Sequence, residues 1–176
     1  MKKTILAWVV LAGLMPAFAR TVTELDTGWT ADGKPVALPH TWNAVDASDG
    51  KDVPPRKSTL WNYSAGSPSY ARKPVVYRRA LPDPKPGRRY FVTCGGASMT
   101  TQVRVNDREV GRHIGSFTAF AYELTDALKP SGNVLEFIVD NVFDANVQPI
   151  NADYSVYGGL YRIPRLVETG AVCIDP

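Results

Sequence analysis

The sequence predicts an all-β domain built as an antiparallel β-sandwich. Short runs of β-branched and aromatic residues recur along the chain, and clusters of Gly, Pro, Asn and Asp separate them at intervals of about ten residues, as in sandwich folds. The 14 prolines scattered through 176 residues leave little room for long helices. An apolar fraction of 44% with 21% charged residues indicates a packed core rather than a disordered chain.

A strand is predicted at the β-rich run 74–81, which the proline cluster of residues 82–87 ends. A buried strand is predicted next at 89–94, up to Gly95-Gly96. Residues 101–105 alternate polar and apolar side chains, so that strand has one buried face. Residues 106–108 then predict a tight turn into a returning strand at 109–114.

Three more strands complete the predicted sandwich. Residues 118–124 read as a strand, and residues 125–129 have room for one helical turn before Pro130. The apolar run 134–140 after the Ser131-Gly132-Asn133 turn is the clearest strand of the chain. A last strand is expected at 160–167, where Pro164 implies an edge position or a bulge. The stretch 44–73 has no period, and loops of this length are usually functional or mobile.

Residues 1–19 are predicted to be a secretory signal peptide, which leaves residues 20–176 as one domain. Lys2 and Lys3 precede an apolar run at 5–14 that is too short to span a bilayer comfortably, and residues 17–19 (Ala-Phe-Ala) match a cleavage site. Export to the periplasm or the medium follows, without a membrane anchor. Removing two lysines changes the charge from 20 − 17 = +3 to 18 − 17 = +1, so no nucleic-acid partner is expected.

The cysteines and histidines of the chain predict neither a metal site nor a cofactor. Cys94, Cys173, His40 and His113 lack the spacing of metal ligands. In an exported chain the two cysteines can pair, or each can be a small buried apolar residue, and both alternatives are open. His40 is expected to satisfy a backbone group beside Pro39, and His113 to lie on the surface.

Five segments carry recognisable motifs: 38–43 (LPHTWN), 103–111 (VRVNDREVG), 115–120 (GSFTAF), 133–141 (NVL and VDN) and 152–162 (ADY and YGGLYR). In this order they resemble the amino-terminal, sugar-binding domain of glycoside hydrolase family two, the β-galactosidase-like group. The departures are Asp107 and Ser116, where glycine is usual, and Ile163-Pro164, where the family commonly continues with Asp-Val. Asp tolerates the left-handed turn conformation, so the hairpin is expected to form.

The resemblance implies a jelly-roll, galactose-binding-domain-like sandwich. Family members resemble retaining glycosidases, which hydrolyse O-glycosidic bonds with two glutamates of a downstream barrel. A (β/α)₈ barrel needs about 250 residues, so the barrel is expected to lie outside these 176 residues, as another domain or chain. None of the five glutamates falls in a catalytic motif, and we expect them on solvated strand faces. No catalytic residue is assigned, and the chain alone is expected to be inactive.

Four residues are predicted to contact a galactoside-like carbohydrate. Asp153 matches the family aspartate that accepts hydrogen bonds from substrate hydroxyls, although a local turn with Tyr154-Ser155 is the alternative. Trp61 and Tyr63 can stack on a sugar ring, and Asn62 lies between them. Trp42 is instead expected in the core.

Tyr161 and Arg162 lie where the domain would meet its successor. Arg162 is predicted either to form an interface salt bridge or to be an exposed strand end.

Three functions remain open at this stage. The chain can be the sugar-binding domain of a β-galactosidase-like glycosidase, a free-standing carbohydrate-binding module, or a structural domain that complements a separate barrel.

Overall fold

The structure, a computed structural model, describes residues 20–44, 72–142, 144, 146–147 and 157–176. The predicted signal peptide at 1–19 lies outside these ranges and stays a prediction. Ten strands are described: β1 Thr21–Glu24, β2 Trp29–Ala31, β3 Lys34–Val36, β4 Pro74–Ala80, β5 Arg88–Cys94, β6 Thr100–Val105, β7 Arg108–Ile114, β8 Phe120–Glu123, β9 Val134–Asp140 and β10 Arg165–Gly170. Single 3₁₀ turns follow at Trp42–Ala44 and Thr125–Ala127.

The ten strands form two antiparallel sheets, which confirms the predicted β-sandwich. One sheet has four strands in the order β1-β10-β5-β8, and the other has six in the order β3-β2-β4-β9-β6-β7. Among the described residues no helix is long and apolar enough to cross a bilayer.

Inward-facing apolar side chains of the strands build the core between the sheets. In β9, Leu135, Phe137 and Val139 are fully buried and face inward, and β4 contributes Tyr77, which is paired with Phe137 across the sheet. Trp29 of β2 meets the Phe137 ring edge-on, with ring centroids 5.7 Å apart. Aromatic pairs at this spacing prefer that arrangement. Because both sheets place such residues inward, the core occupies the space between them.

The strand predictions hold for the middle of the chain and fail near its ends. β10 runs over Arg165–Gly170 rather than 160–167, and it is an interior strand paired with β1 and β5. The edge position or bulge expected from Pro164 is therefore wrong. Pro164 precedes the first paired residue, where its missing N–H costs no ladder bond, and its carbonyl accepts from the Leu25 N–H at 2.9 Å.

Two further differences between the predicted and the observed strands concern β8 and the first three strands. β8 is shorter than predicted, covering Phe120–Glu123 only. The strands β1, β2 and β3 were missed because each has only three or four residues, too few to show a period.

Glu136 corrects the expectation that every glutamate is solvated. Its side chain points away from the core, as predicted, yet the residue is 5% exposed. Arg78 and Arg104 lie beside it on the two neighbouring strands, at the cross-strand positions directly opposite. The Arg78 Nε donates to Oε1, and an Arg104 nitrogen lies 3.9 Å from Oε2. Two guanidinium groups thus cover this carboxylate and shield it from water.

The hairpin between β6 and β7 forms as predicted. Asn106 and Asp107 have φ values of 51° and 68°, the left-handed conformation of a two-residue type I′ turn. A register shift after Val103 marks a bulge in this hairpin.

Both cysteines are free, so the disulfide alternative is not realised. Cys94 is buried, and burial raises the pKa of its thiol to about 11. Cys173 is only half-buried, which corrects the expectation of two buried apolar residues. Its Sγ lies 3.2 Å from a guanidinium nitrogen of Arg89.

Candidate functional site

The four predicted sugar-binding residues, Trp61, Asn62, Tyr63 and Asp153, lie outside the described residues. They belong to two segments of the chain, 45–71 and 148–156. The structure does describe the residues that flank these two segments. That surrounding framework is the part of the candidate site that the geometry defines.

Two buried asparagines hold this framework together. The side-chain oxygen of Asn43 accepts a hydrogen bond from the Gly158 N–H at 2.8 Å and another from the Asn141 Nδ2 at 3.3 Å. The side-chain oxygen of Asn141 accepts from the Lys73 N–H at 3.0 Å. Asn43 and Asn141 are 3% and 1% exposed. We call these four residues, Asn43, Lys73, Asn141 and Gly158, the asparagine corner.

Thr41 and Arg72 reinforce the same corner. The Thr41 hydroxyl donates to the Gly158 carbonyl at 2.6 Å, and its oxygen accepts from the Asn43 N–H at 3.2 Å. The Arg72 guanidinium donates to the Asn141 carbonyl at 3.3 Å, and its partial burial lowers the pKa of that group. Both the amide and the carbonyl of Gly158 are therefore satisfied by side chains rather than by a neighbouring strand.

Gly158 and Gly159 are required by close packing at this corner. A Cβ atom on Gly158 would lie 1.8 Å from Cζ2 of Trp42, and one on Gly159 would lie 2.3 Å from the His40 carbonyl oxygen. Trp42 is half-buried and packs against the core. It was expected inside the core, and it instead covers the core's edge with its ring against the Gly158 backbone.

His40 bonds to a side chain rather than to the backbone group expected for it. Its Nδ1 lies 2.8 Å from the hydroxyl oxygen of Tyr77, which is fully buried. Burial lowers the pKa of His40, and the neutral ring can accept a hydrogen bond from the Tyr77 hydroxyl. Burial is also the main cause that raises the pKa of Tyr77. The backbone N–H of His40 donates to the Leu160 carbonyl at 3.0 Å.

His113 is half-buried, which corrects its expected surface position. Its ring stacks on Phe120 with centroids 4.5 Å apart, and its Nε2 lies 3.0 Å from the Thr118 hydroxyl. Burial lowers the pKa of His113.

Arg162 is exposed and lies before β10, which begins at Arg165, so it is not the end of a strand. The interface salt bridge predicted for it needs a partner in a neighbouring domain and stays a prediction. No salt bridge of Arg162 occurs within the described ranges. Its guanidinium lies 5.9 Å from the centre of the Tyr161 ring.

The described part of the site can orient backbone and donate or accept hydrogen bonds. Its carboxylates are Asp140, which accepts from the Val142 N–H at 2.7 Å, and Asp144, which accepts from the Asn146 N–H at 2.8 Å. Both act as local turn caps. Over the ranges described, no three His, Cys, Asp or Glu side chains are grouped so that they can hold a metal ion.

Comparison with known proteins gives related enzymes. No protein-family profile matches the chain. A β-glucuronidase of Bacteroides fragilis is 34% identical over 146 residues, which cover 82% of this chain and 19% of that protein. A putative β-glucuronidase of Formosa agariphila is 29% identical over 78% of this chain and 15% of its own length. The crystal structure of a putative β-galactosidase from Bacteroides fragilis superposes with a TM-score of 0.69 and 29% identity, covering 85% of this chain and 23% of that one.

The chain is related to glycoside hydrolase family two. The resemblance predicted from the five motifs is confirmed by these relatives and by the sandwich fold. The chain spans between 15 and 19% of the length of the two β-glucuronidases it matches. It therefore corresponds to a domain-sized part of these family-two enzymes.

The sequence reading missed the asparagine corner, although the motifs contain most of it. Asn43 ends the LPHTWN motif, Asn141 ends VDN, and Gly158 lies in YGGLYR. Three of the five motifs that resemble family two thus meet at one point in space. The signal that could have revealed the corner is the position of these residues, because Asn43, Asn141 and Gly158 each lie close to the end of one of the two candidate segments.

Proposed function

We propose that this chain is the sugar-facing sandwich domain of a family-two β-glycosidase, and that it contributes substrate contacts beside a catalytic barrel. One observation carries the proposal: the described residues that flank both segments with candidate sugar-binding residues meet at the same corner. Anchoring at one point lets two separate stretches of chain contact one ligand. Asp153 would accept hydroxyl hydrogen bonds, and Trp61 and Tyr63 would pack on the apolar face of a sugar ring, with Asn62 between them.

The substrate class we propose is a β-linked galactoside or glucuronide, the two sugars that the related enzymes are named for. Hydrolysis would depend on carboxyl groups of the barrel, because a retaining glycosidase needs two of them about 5–5.5 Å apart. The barrel would be the principal partner of this domain, and the segment 1–19 would direct its export to the periplasm or the medium.

The proposal is tested with the purified chain and two probes, p-nitrophenyl β-D-galactoside and p-nitrophenyl β-D-glucuronide. We expect saturable binding of at least one probe in the millimolar range, measured by calorimetry, with no release of nitrophenol. Asp153→Asn and Trp61→Ala should each weaken that binding about tenfold, equivalent to about 1.4 kcal/mol.

Asp83→Asn is the matched control, because Asp83 is exposed in the proline-rich turn after β4, and this variant should bind like the parent. Hydrolysis by the chain alone, or no saturable binding of either probe, would contradict the proposal.

A further inference from the structure

Each asparagine of the corner precedes one candidate segment and bonds to a residue that follows the other segment. Asn43 precedes the segment 45–71 and binds Gly158, which follows the segment 148–156. Asn141 precedes the second segment and binds Lys73, which follows the first. The bond from the Asn141 Nδ2 to the Asn43 side-chain oxygen joins these two connections. Four positions that lie far apart along the chain are therefore linked through two amide groups.

From this arrangement we propose that Asn43 and Asn141 are a positioning pair: their mutual hydrogen bond fixes Lys73 and Gly158, which flank the two candidate segments, relative to each other. The inference rests on the proposed function for its consequence, which is the affinity for a glycoside. Its structural content, the coupled anchoring of Lys73 and Gly158, is independent of that function.

Burial makes the pair effective. Both residues are almost completely buried, and a buried amide that loses its partner is not compensated by hydrogen bonds to water. Hydrogen bonds also fix direction, whereas apolar contacts do not. The orientation of each amide is set from both sides, because Asn43 contacts Gly158 and Asn141, while Asn141 contacts Asn43 and Lys73. A change at Gly158 is thereby transmitted to Lys73, and the reverse.

The experiment breaks the bond between the two asparagines and keeps the bond that each makes to a segment. Asn141→Asp is the variant, because a carboxylate oxygen can still accept from the Lys73 N–H but no longer donates to Asn43. Asn133→Asp is the matched control at the other end of β9. Asn133 is equally buried, its oxygen accepts from the Lys129 N–H at 2.7 Å, and its Nδ2 donates to the Lys129 carbonyl at 2.8 Å.

Two readouts are measured on the full chain, namely amide hydrogen exchange and affinity for the two nitrophenyl glycosides. In Asn141→Asp we expect exchange at both Gly158 and Lys73 to accelerate at least tenfold, and affinity to fall about tenfold. In Asn133→Asp we expect exchange at Lys129 to accelerate, with Gly158, Lys73 and the affinity unchanged, even where the loss of global stability is similar. A purely structural role for Asn141 would predict equal affinity in both variants.

Each outcome decides the inference. Unchanged exchange at Gly158 in Asn141→Asp would overturn it, as would unchanged affinity in a parent that binds a glycoside. A parent that binds neither probe would refute the proposed function, while the exchange data would still decide whether the anchoring is coupled.

If Asn141→Asp does not fold, native-state exchange of the parent in low urea gives the answer. The amides of Gly158 and Lys73 should then exchange with the same opening free energy and the same urea dependence. The amide of Lys129 should have different values of both. Separate openings of Gly158 and Lys73 would overturn the inference.

Discussion

Strand β9 has a buried asparagine at each end, and the two asparagines have different kinds of partner. Asn133, before the strand, bonds to Lys129 four residues away and to Asn106 of the β6–β7 turn. Asn141, after the strand, bonds to Lys73 and Asn43, which are 68 and 98 residues away. Seven strand residues, about 26 Å of extended chain between the asparagines, separate the two ends.

This difference shows how one residue type serves two purposes in one sandwich. At the Asn133 end the amide closes tight turns, which are compact and locally encoded. At the Asn141 end it joins residues that flank the two segments for which we propose sugar contacts. We call these the turn end and the loop end of β9. The two ends are expected to differ in their effects on stability, affinity and pH dependence.

The largest effect is expected at the loop end, for Gly158→Ala. The added methyl group would lie 1.8 Å from Cζ2 of Trp42, so the indole or the backbone must move. We expect a loss of about 3 kcal/mol in the free energy of unfolding, measured by urea denaturation.

Gly132→Ala is the matched variant at the turn end. No atom lies within 4 Å of its added methyl group, and only its φ of 69° opposes the change. Its loss should be about 1 kcal/mol. Equal losses in the two variants would show that the packing of Trp42 on Gly158 is not a constraint.

Asn133→Ala comes next, at the turn end. It removes three hydrogen bonds of one buried amide, two to Lys129 and one to Asn106. A loss of about 2 kcal/mol is expected, because the freed backbone groups of Lys129 are only partly rehydrated. Glycoside affinity should not change. A weaker affinity in this variant would mean that the two ends of β9 are coupled.

Acid should weaken the loop end first. The pKa values of both His40 and His113 are lowered by burial, so the unfolded chain takes up their protons at a higher pH than the folded chain does. The contribution of the two histidines to the free energy of unfolding is complete above the ordinary histidine pKa of 6.5. It is lost as the pH falls through their pKa values in the folded chain. Glu123 and Glu168 have lowered pKa values and titrate below 4.5, outside this window.

The pH effect is measured as the urea midpoint at pH 7.5 and 5.5. The parent should be less stable at pH 5.5, and His40→Gln and His113→Gln should each reduce the difference. Protection of the Gly158 amide should fall more than that of Lys129, since His40 lies two residues from Trp42 in the loop-end framework. A pH-independent midpoint would contradict the burial of the two rings.

The smallest effect belongs to the turn end. Asp107→Gly replaces a residue with a φ of 68° by one that adopts this conformation without strain, and the Arg104 bond to its carbonyl is kept. A gain of about 0.5 kcal/mol is expected, visible as a small rise in Tm. A loss would show that the aspartate side chain itself stabilises the turn.

Prediction from sequence succeeded where partners are close along the chain. The β6–β7 hairpin follows from Asn106-Asp107 between alternating runs, and β9 from an apolar run after a turn. It failed where the partner is distant. β1 has four exposed residues and is a strand because β10 pairs with it, and Glu136 is buried because Arg78 and Arg104 come from two other strands.

The sandwich class, the central strands and the relationship to family two could be predicted from the sequence, because short-range alternation, turn residues and ordered motifs lie along the chain. The meeting of three motifs at Asn43, Asn141 and Gly158, the interior position of β10 and the bond of His40 to Tyr77 became visible only in the folded domain. The physical reason is that a buried amide or ring needs a partner of fixed geometry, and folding brings that partner from a distant part of the chain.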